Sequence, residues 1–129
     1  MNPIKSMGIL LLPMLLLLSC HDDDGEQQIK SIEEQMASIS ATVDALIADK
    51  SCNGADDCAS IAWGSKPCGG PWDYLVYAPS NVDVPQLEAL ADEYNQLELQ
   101  LNQYTGAGSD CALVEAPELE CADNICVAK

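Results

Sequence analysis

Six cysteines constrain this chain more than any other feature. They fall in two clusters of three, Cys52, Cys58, Cys68 and Cys111, Cys121, Cys126, on either side of a leucine-rich stretch. The intervals are five, nine, forty-two, nine and four residues, so no CxxC pair occurs and the spacing of a thiolate metal site is missing. An even count in a small exported domain reads as a disulfide framework, here three bridges with fifteen possible pairings. Each cluster holds an odd number, so at least one bridge must join the two. In the loop-entropy view each bridge stabilises the fold by roughly 3 kcal/mol. A chain with no phenylalanine and few other aromatics needs that contribution.

The seventh cysteine, Cys20, stands apart on a sharp border. Residues 14–25 read MLLLLSCHDDDG, an apolar run that meets one cysteine and turns at once into three aspartates. Residues 1–6 are short and polar with one positive charge, Lys5, and residues 7–18 are apolar throughout. Twelve residues are too few to cross a hydrocarbon core about 30 Å thick, which takes roughly 20. Length and flanks are those of a secretory signal peptide over residues 1–19, with Ser19 as the small residue at the cut.

Leu17, Leu18, Ser19 and Cys20 resemble the lipobox of bacterial lipoproteins. The resemblance implies a chain cut before Cys20, with a diacylglycerol on its thiol and an acylated amino group (palmitate-like chains). Each buried CH₂ contributes about 0.8 kcal/mol, so two or more chains anchor firmly. Residues 20–25 then form a lipidated acidic linker. Asp22, Asp23 and Asp24 resemble the acidic surface-export tag of lipoproteins from the Bacteroidota, with His21 where a serine is common. That resemblance implies an outer-membrane protein facing the cell exterior.

Removal of Lys5 with the leader leaves four lysines and no arginine against 21 acidic residues, a formal charge of −17. That balance excludes nucleic acid, whose phosphates demand cations, and disfavours docking to an anionic membrane face except through the lipid. The lone histidine is His21, beside the anchor. A domain without His or Arg builds no Ser-His or Cys-His nucleophile and no arginine clamp, so no enzyme is expected. Neither a cofactor nor a metal is implied.

Two segments share one rhythm. Ile29, Ile32, Met36, Ile39, Val43 and Leu46 step by 3, 4, 3, 4, 3, a heptad seam of the coiled-coil kind that predicts a helix over 26–50, ended at Cys52-Asn53-Gly54. Leu87, Leu90, Tyr94, Leu97, Leu101 and Tyr104 repeat it. Asp83 and Gln86 form a capping-box-like start, Pro85 suits a first turn, and Gly106 and Gly108 make a stop. Three arrangements remain open for helix 26–50: pairing with the second helix, a homo-oligomeric stalk, or a loose spacer between anchor and head.

The remainder of the 51–129 head is punctuated by turn signals. Residues 72–77 have strand composition. Residues 111–115, 119–121 and 125–128 read as short strands, with Asp123-Asn124 as a tight turn between the last two. The fold class is therefore α+β: two long helices and a small antiparallel sheet stapled by three disulfides. The pattern CGGPWDYLVY, the leucine-rich helix, SDC and a terminal CADNIC is loosely similar to uncharacterised cysteine-rich bacterial lipoproteins, and that similarity carries no activity with it.

Candidate ligand groups are sparse. Glu115, Glu118 and Glu120 in one segment and Asp56 and Asp57 in another are carboxylates without EF-hand spacing, and solvated loops account for them. Trp63, Trp72, Tyr74 and Tyr77 are either a contact patch or, as expected for most of them, core. The sequence thus implies a surface-exposed, lipid-anchored interaction protein with an unknown protein or glycan partner. An inhibitor of secreted hydrolases, presenting residues 64–71 as a rigid loop, and a structural envelope component are the alternatives.

Overall fold

A computed structural model describes residues 23–129. The leader, Cys20, His21 and Asp22 lie outside the described residues. Of the acidic tag, Asp23 and Asp24 open the first helix, α1 (Asp23–Leu46). This helix starts three residues before the expected 26, because acidic residues favour the positive end of the helix dipole. It ends at Leu46, before the expected 50, where Ile47 closes the last turn onto Val43 and Asp49 turns to bond Ser51.

The second helix, α2 (Val84–Thr105), is bounded as its caps predict. Asp83 accepts from the Gln86 N–H at 3.1 Å, and Gly106 takes φ 63° while its N–H returns to the Asn102 carbonyl. Ile39 and Val43 of the first helix, and Ile47 just after it, cluster with Leu87 near the start of the second, so the C-terminal half of α1 meets the N-terminal half of α2. Further up α1, Ile32 is 1% exposed and Met36 is buried too. Ile32, Met36, Ile39 and Val43 of the seam are thus buried within the chain. Of the three arrangements, the structure has the intramolecular pair.

Between the helices run β1 (Ala59–Trp63) and β2 (Asp73–Tyr77), paired antiparallel with Ala59 opposite Tyr77 and Trp63 opposite Asp73. One face of this hairpin, with Ile61, Trp63, Leu75 and Tyr77, lies on the helix pair. Val76 on the opposite face packs against Cys52, Ala78 and Cys126. There the second hairpin, β3 (Leu119–Ala122) with β4 (Ile125–Ala128), forms a third layer. Its two-residue turn is Asp123-Asn124, both with positive φ, as a type I′ turn requires. The expected single sheet is therefore two separate two-stranded ones.

All three disulfides cross between the cysteine clusters: Cys52–Cys121, Cys58–Cys126 and Cys68–Cys111. The first two clamp the segment after α1 onto the β3–β4 hairpin, reinforced by backbone bonds from Cys52 N to the Asn124 carbonyl and from Cys126 N to the Lys50 carbonyl. A helical turn at Ala55–Asp57 fits between them, with the Asp57 carboxylate accepting from the N–H groups of Asn53 and Gly54.

One expected strand is not there. Residues 111–115 have no regular structure, because their backbone groups are bonded elsewhere. Cys111 has φ 56° and is bridged to Cys68, while Ala112 bonds through its N–H to Asp110 and through its carbonyl to Lys66.

Candidate functional site

The β1–β2 connection, residues 64–72, is braced from several sides. Gly64 begins it at φ 81°, a conformation that glycine adopts without a steric cost. A Cβ there would lie 2.8 Å from both Glu98 Oε2 and Trp72 Cδ1, so backbone, helix and tryptophan meet at a point only glycine allows. Its N–H donates to Asn95 Oδ1 at 2.7 Å. Ser65 donates its N–H to the Glu98 carboxylate and its hydroxyl to the Asn95 carbonyl at 2.8 Å. The Ser65 carbonyl in turn accepts from Asn102 Nδ2 at 2.8 Å. Asn95, Glu98 and Asn102 step by three and four, so they form one polar stripe along α2.

Lys66 continues the brace. Its N–H bonds the Gly70 carbonyl and its own carbonyl accepts from Gly69, closing a tight turn. The side chain runs inward and is only 3% exposed. Its ammonium donates to the Ala112 carbonyl at 2.7 Å and to Asp110 Oδ1 at 3.2 Å, and stands 5.1 Å from the Trp72 ring centroid. A buried ammonium is costly unless such partners replace water. The hydrogen bond from Ala112 N, and then Lys66, hold the Asp110 carboxyl below the usual carboxylate range. The Cys68–Cys111 bridge ties the loop tip to the same strand-less segment.

Beneath the loop, Trp63 stacks on Tyr94 with ring centroids 4.0 Å apart. Burial, and then the nearby Glu98 carboxylate, push the Tyr94 phenol above its usual range. What remains outside is a rim of Cys68, Gly69 and Gly70 at the tip, with Trp72 41% exposed. Of the four aromatics expected mostly in the core, Tyr77 is buried and Trp63 and Tyr74 are half-buried, but Trp72 faces solvent.

The other sequence candidates do not converge. Glu115 is exposed, Glu118 sits 3.9 Å from Lys129, Glu120 lies in β3, and Asp57 is engaged with backbone N–H groups. Among the described residues, the ligand-type side chains that do converge are Cys52, Cys58 and Cys126, whose sulfurs lie within 4.8 Å of one another. All three are in bridges, and a bridged sulfur offers a metal no thiolate.

Sequence reading picked out the 64–71 loop but missed what holds it. Asn95, Glu98 and Asn102 each follow a seam residue, Tyr94, Leu97 and Leu101, so a polar stripe beside the apolar one was visible in the pattern. Lys66 gave no signal at all, since nothing local marks one lysine of four as buried.

No protein-family model, no curated protein and no solved structure matches this chain. Among the described residues, no helix is long and apolar enough to cross a membrane.

Proposed function

We propose that this chain is a lipid-anchored interaction protein of a Gram-negative outer membrane, facing the cell exterior, and that residues 64–72 with Trp72 are its contact surface. One observation carries the reading. The loop is fixed before any partner arrives, by two asparagines, a glutamate, a buried lysine and a disulfide. Ordering a contact loop costs about 0.5–1.5 kcal/mol for each immobilised side chain, and a loop already ordered does not lose that on binding. Chemistry is a poor fit by comparison, since the polar groups here bond one another rather than converge on an open cavity.

Anchoring rests on the lipobox resemblance at Cys20, and display on Asp22, Asp23 and Asp24. The Cys20→Ala variant should leave the membrane fraction on detergent phase partitioning, and an unchanged distribution would rule the anchor out. Alanine at Asp22, Asp23 and Asp24 should abolish cleavage by external protease in intact cells. Retained cleavage would count against the tag.

The same rigidity favours a second reading, inhibition of a secreted hydrolase by insertion of the Cys68-Gly69-Gly70 tip into its cleft. Titration of purified protein against a panel of secreted proteases and glycosidases separates the two. Stoichiometric loss of activity in any of them would make the chain an inhibitor.

A further inference from the structure

We infer that the partner of this contact surface is a basic protein segment, with an arginine or lysine side chain laid on the open face of Trp72. The inference rests on the interaction reading above and supplies the chemistry of its partner. Lys66 lies against one face of the indole, and Gly64 backs the ring's edge at Cδ1. The residue nevertheless keeps 41% of its surface exposed, so a held indole is partly open to solvent. Rigid, exposed tryptophan attracts cations through its negative face.

The surroundings select the sign of the partner. Glu98 reaches the ring edge through the same contact point at Gly64. Asp110, exposed along most of its side chain, sits on the Lys66 ammonium that touches the ring, and exposed Asp73 follows Trp72 directly. Glu98 and Asp110 thus lie close to the indole, with Asp73 next to it in sequence, and only Lys66 opposes them, a buried ammonium over the ring already bound to Asp110 and a carbonyl. Of the other lysines on the described chain, Lys30 is 3.9 Å from Glu34, Lys129 is 3.9 Å from Glu118, and Lys50 is half-buried just after α1. The site is therefore net negative within a negative molecule, and such a field draws cations and repels acidic glycans and acidic proteins.

The test is a calorimetric titration of the full chain with a synthetic peptide of alternating arginine and glycine, at low and at physiological salt. A matched glutamate–glycine peptide and cellohexaose, a neutral glycan, serve as the other arms. The arginine peptide should bind and weaken as salt rises, and the other two should not bind. Trp72→Ala should weaken binding about 2- to 30-fold, the factor for a cation–π contact of roughly 0.5–2 kcal/mol. Trp72→Phe should recover part of the loss. Glu33→Gln, exposed on α1 and outside the 64–72 loop, removes one charge and gauges attraction by net charge alone, and its effect should be smaller. Unchanged melting temperatures would show that the variants fold. Equal binding by Trp72→Ala, an equal loss in Glu33→Gln, or tighter binding of cellohexaose would overturn the inference. None of those results touches the anchor, which the Cys20→Ala partitioning decides separately.

Discussion

Replacing Ile32 by alanine tests whether the first helix is part of the folded domain. Ile32 lies in the N-terminal half of α1 and is 1% exposed. The substitution removes about three methylene equivalents, worth roughly 0.8 kcal/mol each on burial, or about 2.4 kcal/mol in transfer terms. The cavity left behind adds to this, and measured losses for such truncations run about 2–5 kcal/mol. Alanine returns a few tenths through its better helix propensity. The net expectation is about 3 kcal/mol, which at roughly 4–8 °C per kcal/mol lowers the midpoint by roughly 12–24 °C. Thermal unfolding followed by circular dichroism reads the shift directly. Lys30→Ala, on the exposed side of the same helix, loses only a 3.9 Å surface ion pair with Glu34 and should stay within about 0.5 kcal/mol. If α1 were a stalk, the two variants would melt alike. A loss below about 1 kcal/mol for Ile32→Ala, with Leu87→Ala still strongly destabilised, would refute the docking of α1 along α2.

Three further outcomes follow from the same structure. Peptide mapping without reduction should recover Cys52–Cys121, Cys58–Cys126 and Cys68–Cys111, and mild reductant should open Cys68–Cys111 first, because both its cysteines are exposed while Cys52 and Cys126 are buried. Converting Cys68 and Cys111 together to serine should cost about 4 kcal/mol by loop entropy, and simultaneous reduction of all three bridges in the native protein would count against the assigned exposure. Gly64→Ala should destabilise by more than about 1 kcal/mol, since φ 81° strains any side chain and its Cβ would strike Glu98 and Trp72, and a neutral result in chemical denaturation would contradict the brace. Asp110 has a depressed folded-state pKa, so its contribution is complete above the unfolded value near 3.9 and fades as pH falls through the folded one; Asp110→Asn should flatten the acid limb of the stability curve in that range, and an unaltered limb would show the Lys66 contact to be idle.

Much of this architecture is legible in the order of residues alone, where the controlling interactions are local. Asp83 caps α2 because its carboxylate reaches an N–H three residues on, and Gly106 stops that helix because it alone takes a left-handed φ there cheaply. Asp123-Asn124 turns β3 into β4 for the same reason, and the 3–4 spacing of Ile32, Met36, Ile39 and Val43 makes one helix face apolar whatever it meets. The even count of six cysteines in so small a head implies bridges.

Tertiary structure decided what local chemistry leaves degenerate. Which sulfur meets which depends on distances set by the three stacked layers, so fifteen pairings become one only once the hairpins are placed. Strand β1, reading Ala-Ser-Ile-Ala-Trp, carries little strand propensity of its own and exists because β2 and the helix pair cover it. Residues 111–115 look like a strand, yet their hydrogen bonds go to Lys66 and Asp110 instead. Lys66 is the plainest case: a lysine in a glycine-proline loop reads as solvated. Its burial follows from a carbonyl and a carboxylate more than forty residues away, brought beneath it by α2 and a disulfide.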